Sequence, residues 1–243
     1  MRVFTFDFDG TLVDSYSCLP KVYELIAERY GLPKNLFVKR AVELEDFYDS
    51  VGNFDRKSWW KTLFAEFGVV LGEEEMNDLL RFYWEKRAEM SRVIEGVEEI
   101  LRFLKNSGKT LVILAGNDGQ KSTKRTRVKR SGLAEYFDEI LIVGEDVESR
   151  VDGVLLIAKK YGVELSEIVF VDDKPSAVNE VKSVLGDVIA VKVEFSGILK
   201  TAWEKECRAD FFVKSLREFF DYHCGSLVNK LPKDECKRLK PLR

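Results

Sequence analysis

Short apolar segments alternate with helical ones through the second half of the chain, and this alternation limits the possible folds more than any other feature. Strands are predicted at 110–114, 140–143, 168–171 and 188–193, and helices at 95–106, 120–131, 151–161 and 175–185. Strands separated by helices of roughly 10–15 residues are typical of βαβ units that form a parallel sheet. The strands are apolar almost throughout, which fits a sheet covered by helices on both faces.

The first half of the chain has a different pattern. Residues 2–6 read as one β-strand and end in an acidic turn, whereas residues 15–90 contain helical segments at 19–30, 36–51, 56–67 and 73–90 and no confident strand. We therefore predict an α/β fold in which a Rossmann-like parallel sheet core, residues 1–14 and 91–223, carries an inserted all-helical domain, residues 15–90. Residues 224–243 have weak periodicity and are predicted to be a C-terminal tail.

Composition excludes several classes of protein. The 243 residues include 39 Lys and Arg against 42 Asp and Glu, a net charge of −3, and 45% are hydrophobic. These values exclude a disordered chain, and near-neutral charge argues against nucleic acid as a partner. No apolar run approaches the roughly 18–20 residues of a membrane span. Acidic residues interrupt the N-terminal segment where a signal peptide would be apolar, so a cytoplasmic protein is expected, with monomer and homodimer both open.

Acidic residues follow two of the predicted strands. Asp7 and Asp9 follow the first strand, and Asp172 and Asp173 follow the strand at 168–171. Ligands of open parallel sheets bind outside the carboxyl ends of the strands, so we expect these acids to converge there. Four neighbouring carboxylates repel one another, and Mg²⁺ relieves such repulsion by binding a few carboxylates together with water or phosphate oxygens. The sequence therefore predicts a magnesium site at this edge.

The same segments carry a family resemblance. D-F-D-G-T-L-V-D-S at 7–15 resembles the first signature of the haloacid dehalogenase superfamily, and V-F-V-D-D at 169–173 resembles the fourth. The helical insert lies where that superfamily inserts a helical cap. The resemblance implies that Asp7 is the nucleophile of an aspartyl-phosphate mechanism and Asp9 the acid–base residue. It also implies that Mg²⁺ binds Asp7, the Asp9 carbonyl, Asp172 and Asp173, and that the substrate is a small phosphorylated metabolite.

Two departures from the family pattern concern phosphate binding. The second signature normally ends in Thr or Ser, but the chain has Ala115 and Gly116 there, followed by Asn117. The Lys expected in the third signature is also missing. Arg150 is the nearest replacement, with Lys121 and Lys174 as rivals. We assign phosphate binding to Gly10, Gly116, Asn117 and Arg150. A phosphosugar mutase and a catalytically weakened binding relative remain alternatives to the phosphatase.

Two further groups have less specific patterns. Six cations and no acid occur between residues 121 and 130, and a solvent-facing helix is the favoured interpretation over a polyanion-binding face. Three tryptophans of the insert, Trp59, Trp60 and Trp84, are predicted to lie in its core rather than around a substrate opening.

Overall fold

The structure is a computed structural model and describes residues 1–221. The elements in chain order are β1 (Val3–Phe6), β2 (Val13–Asp14), α1 (Leu19–Arg29), α2 (Lys34–Ser50), α3 (Arg56–Glu66), α4 (Glu73–Met90), β3 (Arg92–Val93), α5 (Val97–Asn106), β4 (Thr110–Gly116), α6 (Thr123–Arg130), β5 (Glu139–Val143), α7 (Arg150–Tyr161), β6 (Ile168–Asp172), α8 (Pro175–Val184), β7 (Ile189–Val193) and β8 (Phe211–Val213). Residues 216–221 are also helical.

Within residues 1–221, six parallel strands form one sheet in the order β5-β4-β1-β6-β7-β8. The predicted α/β fold with a Rossmann-like parallel sheet is confirmed. β1 lies at the centre, where Val3 pairs with Thr110 of β4 and with Ile168 of β6. β8, which has only three residues, was not predicted, because so short a segment gives no readable periodicity.

The two faces of the sheet bury separate apolar clusters. Side chains alternate along a strand, so Phe4 and Phe6 of β1 point to one face and Val3 to the other. α5 and α6 cover the first face, and α7 and α8 cover the second. All four residues of β1 are buried, which is why the strand is apolar without interruption except at Thr5.

In the chain, α1–α4 follow the first strand of the sheet, β1, and precede its other five strands. In space, the four helices pack on one another. Their shared core is built largely from aromatic rings, including Tyr23, Phe37 and Tyr83. The antiparallel pair β2–β3 joins the two connections to the sheet, with Val13 opposite Val93. We call residues 15–90 the helical insert. Trp59, Trp60 and Trp84 are buried within it, as predicted.

A segment between β7 and β8, residues 194–210, reaches the helical insert. Its Leu199, Ala202 and Trp203 belong to the apolar cluster of the insert rather than to that of the sheet. Asp46 of α2 accepts hydrogen bonds from the backbone N–H of Lys200 at 2.8 Å and of Thr201 at 3.0 Å. The insert is therefore attached to the core at a second place besides β2–β3.

No helix within residues 1–221 combines the length and the apolar character needed to cross a bilayer. Cys18 and Cys207 are free thiols. The predicted tail, with Cys224 and Cys236, lies outside the described residues.

Candidate active site

The site begins where β1 and β6 end side by side. The backbone N–H of Asp7 donates to the carbonyl of Val171 at 2.9 Å, so the pairing of the two strands continues to the first acid. Asp172 is the last residue of β6, and Asp173 follows it. Asp7, Asp172 and Asp173 each offer an oxygen within 4.8 Å of the others, and all three are buried. The expected convergence is observed for these three acids.

Burial and mutual repulsion act together on the three carboxyls. Burial, reinforced by the Asp172 charge, raises the pKa of Asp7 to about 7. Burial and then the Asp7 charge raise the pKa of Asp173 to about 7. Within residues 1–221, Oδ2 of Asp172 is buried and has no hydrogen-bond partner. The nearest cation to this oxygen is the Arg150 guanidinium, whose Nε lies 3.5 Å away and makes no hydrogen bond to it. A divalent cation among the three buried acids would give the oxygen a direct ligand bond, so the donor set fits Mg²⁺.

Asp173 is held by groups that do not belong to the strand ends. The indole N–H of Trp203 donates to its Oδ2, and the Thr11 hydroxyl donates to its Oδ1 at 3.2 Å. Gly10 has φ +83°, and a Cβ at that position would lie 2.4 Å from Oδ2 of Asp173. The N–H of Gly10 donates to the carbonyl of Val13 at 2.8 Å. Gly10, predicted to bind phosphate, thus makes room for Asp173 instead of presenting its N–H to the cleft.

The carboxylate of Asp9 lies among cations, apart from the other three acids. It accepts hydrogen bonds from Ser15, Lys124 and Arg127, with Nη1 of Arg127 at 3.0 Å from Oδ2. Burial would raise the pKa of Asp9, but Arg127 and then Lys124 hold it well below the usual range. Asp118 pairs with the same two cations, at 3.0 Å from Lys124 and 3.1 Å from Arg127. Only three of the four predicted acids therefore form the acidic cluster.

The interpretation of the basic helix as solvent-facing is wrong for two of its residues. Lys124 and Arg127 of α6 are buried, although Lys121, Lys129 and Arg130 are exposed as predicted. The two buried cations share a helix face with Val128, which is fully buried in the core. That i, i+3, i+4 spacing with an apolar residue is the sequence signal for an inward face. It is easily overlooked because long cations are rarely buried unless paired, and the pairing acids come from other segments.

Arg150 lines the cleft beside Asp172. Its Nε lies 3.5 Å from Oδ2 of Asp172, and its Nη1 lies 3.4 Å from Oε2 of Glu180. A Cβ on Gly116 would lie 3.6 Å from Nη2 of Arg150, so the glycine and the guanidinium are neighbours. Asn117 lines the same cleft, but its side-chain amide donates to the carbonyl of Val143 at 2.8 Å.

Lys121 and Lys174, the two other candidates for the missing third-signature lysine, make different contacts from Arg150. Lys121 is exposed and does not line the cleft. Lys174 does line it, but its Nζ lies 3.1 Å from Oδ2 of Asp49 in α2 and so joins the sheet edge to the insert. Lys124, which the spacing along the chain does not suggest as a replacement, lines the cleft and lowers the pKa of Asp7.

The helical insert forms the opposite wall of the cleft, whose volume is about 450 Å³. This wall includes Tyr16, Asp49, Phe54, Arg56 and Arg87. Arg87 contacts the start of the insert, since its Nε donates to the carbonyl of Ser15 at 3.1 Å. The Ser15 hydroxyl in turn donates to Asp9, which links the insert to the end of β1. A volume of about 450 Å³ lies within the range of small-molecule binding pockets.

Comparison with known proteins agrees with this architecture. A phosphorylated carbohydrates phosphatase of Thermotoga maritima is 24% identical over 189 residues, covering 75% of this chain and 81% of that protein. The crystal structure of a HAD phosphatase from Thermococcus onnurineus has a TM-score of 0.58 and 27% identity, and the match covers 91% of this chain and 97% of that one. A putative β-phosphoglucomutase from Thermotoga maritima has a TM-score of 0.68 at 20% identity, with 96% and 100% covered.

The family assignment comes from a broader match. The sequence model of the haloacid dehalogenase-like hydrolase family matches residues 1–177 of this chain. This range includes both strand-end acid pairs, the helical insert and Arg150. The chain belongs to the haloacid dehalogenase-like hydrolases.

Proposed function

We propose that this hydrolase is a Mg²⁺-dependent phosphatase that hydrolyses a small phosphorylated metabolite through an aspartyl-phosphate intermediate. The observation that carries the proposal is the position of Asp7, which lines the cleft within 4.8 Å of Asp172 and Asp173. The name of the Thermotoga maritima phosphatase supports a phosphorylated carbohydrate as the substrate class.

In the first step, a carboxylate oxygen of Asp7 attacks phosphorus, and the bond between phosphorus and the substrate oxygen breaks. The electron pair leaves with that oxygen, which takes a proton from Asp9. In the second step, water gives its proton to Asp9 and attacks phosphorus. The bond between phosphorus and Asp7 then breaks, and phosphate leaves. Mg²⁺, when bound, supplies positive charge that allows an anion to attack an anion. Asp7, Asp172, Asp173 and the backbone carbonyl of Asp9 would hold it.

Asp9 must give up part of its present contacts to carry a proton. Lys124 lines the cleft, so an arriving phosphate dianion competes with Asp9 for this ammonium and weakens the hold on the carboxylate. Arg150 lies beside Asp172 in the same cleft and would bind the remaining phosphate oxygens. The chain lacks the second-signature hydroxyl that holds a phosphate oxygen, and the cations Lys124 and Arg150 would take over that role.

The helical insert would act as a cap that excludes water during the first step. Its contacts through Asp49 and Asp46 with the core support this role. A cytoplasmic location, the absence of a nucleic-acid partner, and a monomeric or homodimeric state stay predictions.

The test is hydrolysis of p-nitrophenyl phosphate with and without Mg²⁺, for the wild type, Asp7→Asn and the control Asp78→Asn, a partly exposed acid of α4 that does not line the cleft. We expect Mg²⁺-dependent release of p-nitrophenol that Asp7→Asn abolishes and Asp78→Asn retains. Release that needs no metal or survives Asp7→Asn would contradict the mechanism. With sugar phosphates, isomer formation without net phosphate release would indicate the mutase, and no turnover over a broad panel would indicate a binding relative.

A further inference from the structure

Arg56 is a buried cation of the helical insert with unused hydrogen-bonding capacity. It is the first residue of α3, and only 7% of its side chain is exposed. Its Nη2 donates to Oε1 of Glu45 at 3.1 Å, and the guanidinium carbon lies 3.3 Å from the centroid of the Trp59 ring. Within residues 1–221, its Nε and Nη1 have no hydrogen-bond partner. Burying polar N–H groups without partners is costly, so these two nitrogens need an explanation.

The acid that pairs with Arg56 also pairs with a second arginine. Glu45 is shared, since Nη1 of Arg87 also lies 3.1 Å from Oε1 of this carboxylate. Glu45 further accepts from the hydroxyl of Tyr83. One carboxylate oxygen is therefore shared by two guanidinium groups. Asp49, which also lines the cleft, is paired with Lys174 at 3.1 Å.

Arg56 belongs to the helical insert and lines the same cleft as Asp7 and Arg150. A substrate whose phosphate lies at Asp7 and Arg150 would extend from there toward the insert. We propose that Arg56 binds a second anionic group of the substrate, a carboxylate or a second phosphate, so that the enzyme prefers phosphate esters with two separated anionic groups. The proposal rests on the proposed phosphatase function only in placing the transferred phosphate at Asp7.

Packing alone does not account for this arginine. The Trp59 ring supports the flat guanidinium, and Glu45 occupies one nitrogen, but neither contact supplies an acceptor for Nε or Nη1. Anionic oxygens supply such acceptors and form the stronger, charge-assisted type of hydrogen bond. A neutral sugar hydroxyl would form only the weaker, uncharged type of hydrogen bond with these nitrogens.

The binding test uses probes that cannot be hydrolysed. Phosphonocarboxylates with two to four carbons carry two anionic groups at increasing separation, and α,ω-bisphosphonates carry a second phosphonate instead. Alkylphosphonates of equal length carry one. Isothermal titration calorimetry in the presence of Mg²⁺ compares them. We expect one member of either doubly anionic series to bind roughly tenfold more tightly than its matched alkylphosphonate, as a charged hydrogen bond allows. The better series identifies the second group.

Variants assign this preference to Arg56. We expect Arg56→Gln to reduce it to less than about threefold and Arg56→Lys to retain part of it, because Lys keeps the charge but loses the guanidinium donors. Arg81→Gln, an exposed arginine of α4 paired with Asp78, should leave it unchanged. Thermal melts show whether each variant is folded, and Arg56→Lys keeps the test valid where Arg56→Gln fails to fold.

Two outcomes would overturn the inference: a wild type that prefers no doubly anionic probe at any length, or a preference that Arg56→Gln and Arg56→Lys leave intact. Because binding is measured without turnover, the inference and the proposed function fail separately. If the protein hydrolyses no phosphate ester but loses its preference for doubly anionic probes in Arg56→Gln, the subsite stands and the phosphatase proposal fails. Hydrolysis of phosphate esters by a protein that shows no preference for doubly anionic probes would leave the phosphatase and remove the subsite.

Discussion

The ammonium of Lys174 lies 3.1 Å from Oδ2 of Asp49, and this ion pair joins the end of the central sheet to α2 of the helical insert. The two side chains are 16% and 2% exposed. Burial would raise the pKa of Asp49, but Lys174 and then Arg56 keep it below the usual value. Asp49 is therefore a buried carboxylate that depends on a cation from another part of the fold.

Removing the Lys174 ammonium should destabilise the protein. We expect Lys174→Met to lower the free energy of unfolding by about 3 kcal/mol, because the buried Asp49 charge loses its nearest partner. Urea unfolding at pH 7 measures this change. Lys57→Met, which breaks an exposed pair with Glu73, should cost less than about 1 kcal/mol. Adding Asp49→Leu to Lys174→Met should restore part of the loss, and no recovery would contradict the explanation.

Trp203→Phe tests the support of Asp173. The ring stays able to stack on Phe195, whose centroid is 4.0 Å away, but the indole donor to Asp173 is lost. We expect a loss of about 1–3 kcal/mol in unfolding free energy and a higher Mg²⁺ concentration for half-maximal activity. The control is Trp60→Phe, since Nε1 of Trp60 has no partner among the described residues. An equal effect of both variants on Mg²⁺ dependence would contradict the role of the indole.

Gly10→Ala should be far more harmful than another glycine substitution at positive φ. The new Cβ would lie 2.4 Å from Oδ2 of Asp173, whereas a Cβ on Gly31 would meet nothing within 4 Å. We expect Gly31→Ala to cost about 1 kcal/mol from backbone strain, and Gly10→Ala to cost about 2 kcal/mol more from the clash. Chemical denaturation gives both values. Retained activity and stability in Gly10→Ala would show that Asp173 is free to move.

Lys124→Met should reduce both stability and turnover. It removes a buried partner of Asp9 and Asp118, so we expect a loss of about 3 kcal/mol and a decrease in kcat of at least about tenfold. Lys129→Met on the exposed face of α6 should change stability by less than about 0.5 kcal/mol. Urea unfolding and p-nitrophenyl phosphate hydrolysis measure the two effects. Equal results for both lysines would restore the solvent-facing interpretation of this helix.

Asp138 should make stability depend on pH without affecting the site. Partial burial would raise its pKa, but Lys105 at 2.7 Å and the backbone N–H of Leu111 at 2.8 Å lower it overall. A carboxyl with a lower pKa in the folded state stabilises the fold above its unfolded pKa of about 3.9, and this contribution disappears as pH falls through the folded pKa. Asp138→Asn should therefore cost about 1 kcal/mol at pH 7.

Urea unfolding of the wild type and Asp138→Asn from pH 7 down to pH 3 measures this dependence. The difference between the two proteins should be constant above about pH 5 and should shrink below about pH 4. A difference that does not change with pH would show that the contacts of Asp138 do not depend on its charge.

Local sequence patterns are sufficient to predict the parallel sheet, the helical insert and the strand-end acids. Each depends on periodicity along the chain or on the rule that ligands meet the carboxyl ends of parallel strands. The sequence alone therefore places Asp7, Asp172 and Asp173 together. Spacing along the chain leaves Arg150, Lys121 and Lys174 as candidates for the missing lysine, and the tertiary structure places Arg150 beside Asp172.

The partners of these residues, in contrast, depend on tertiary packing. Asp9 lies two residues from Asp7, yet its carboxylate binds Lys124 and Arg127, because α6 presents one face to the end of β1. Trp203 is separated from Asp173 by 30 positions, and its contact depends on how residues 194–210 cross to the insert. Periodicity describes which face of an element is buried, whereas the partner on that face is set by the packing of segments distant in sequence.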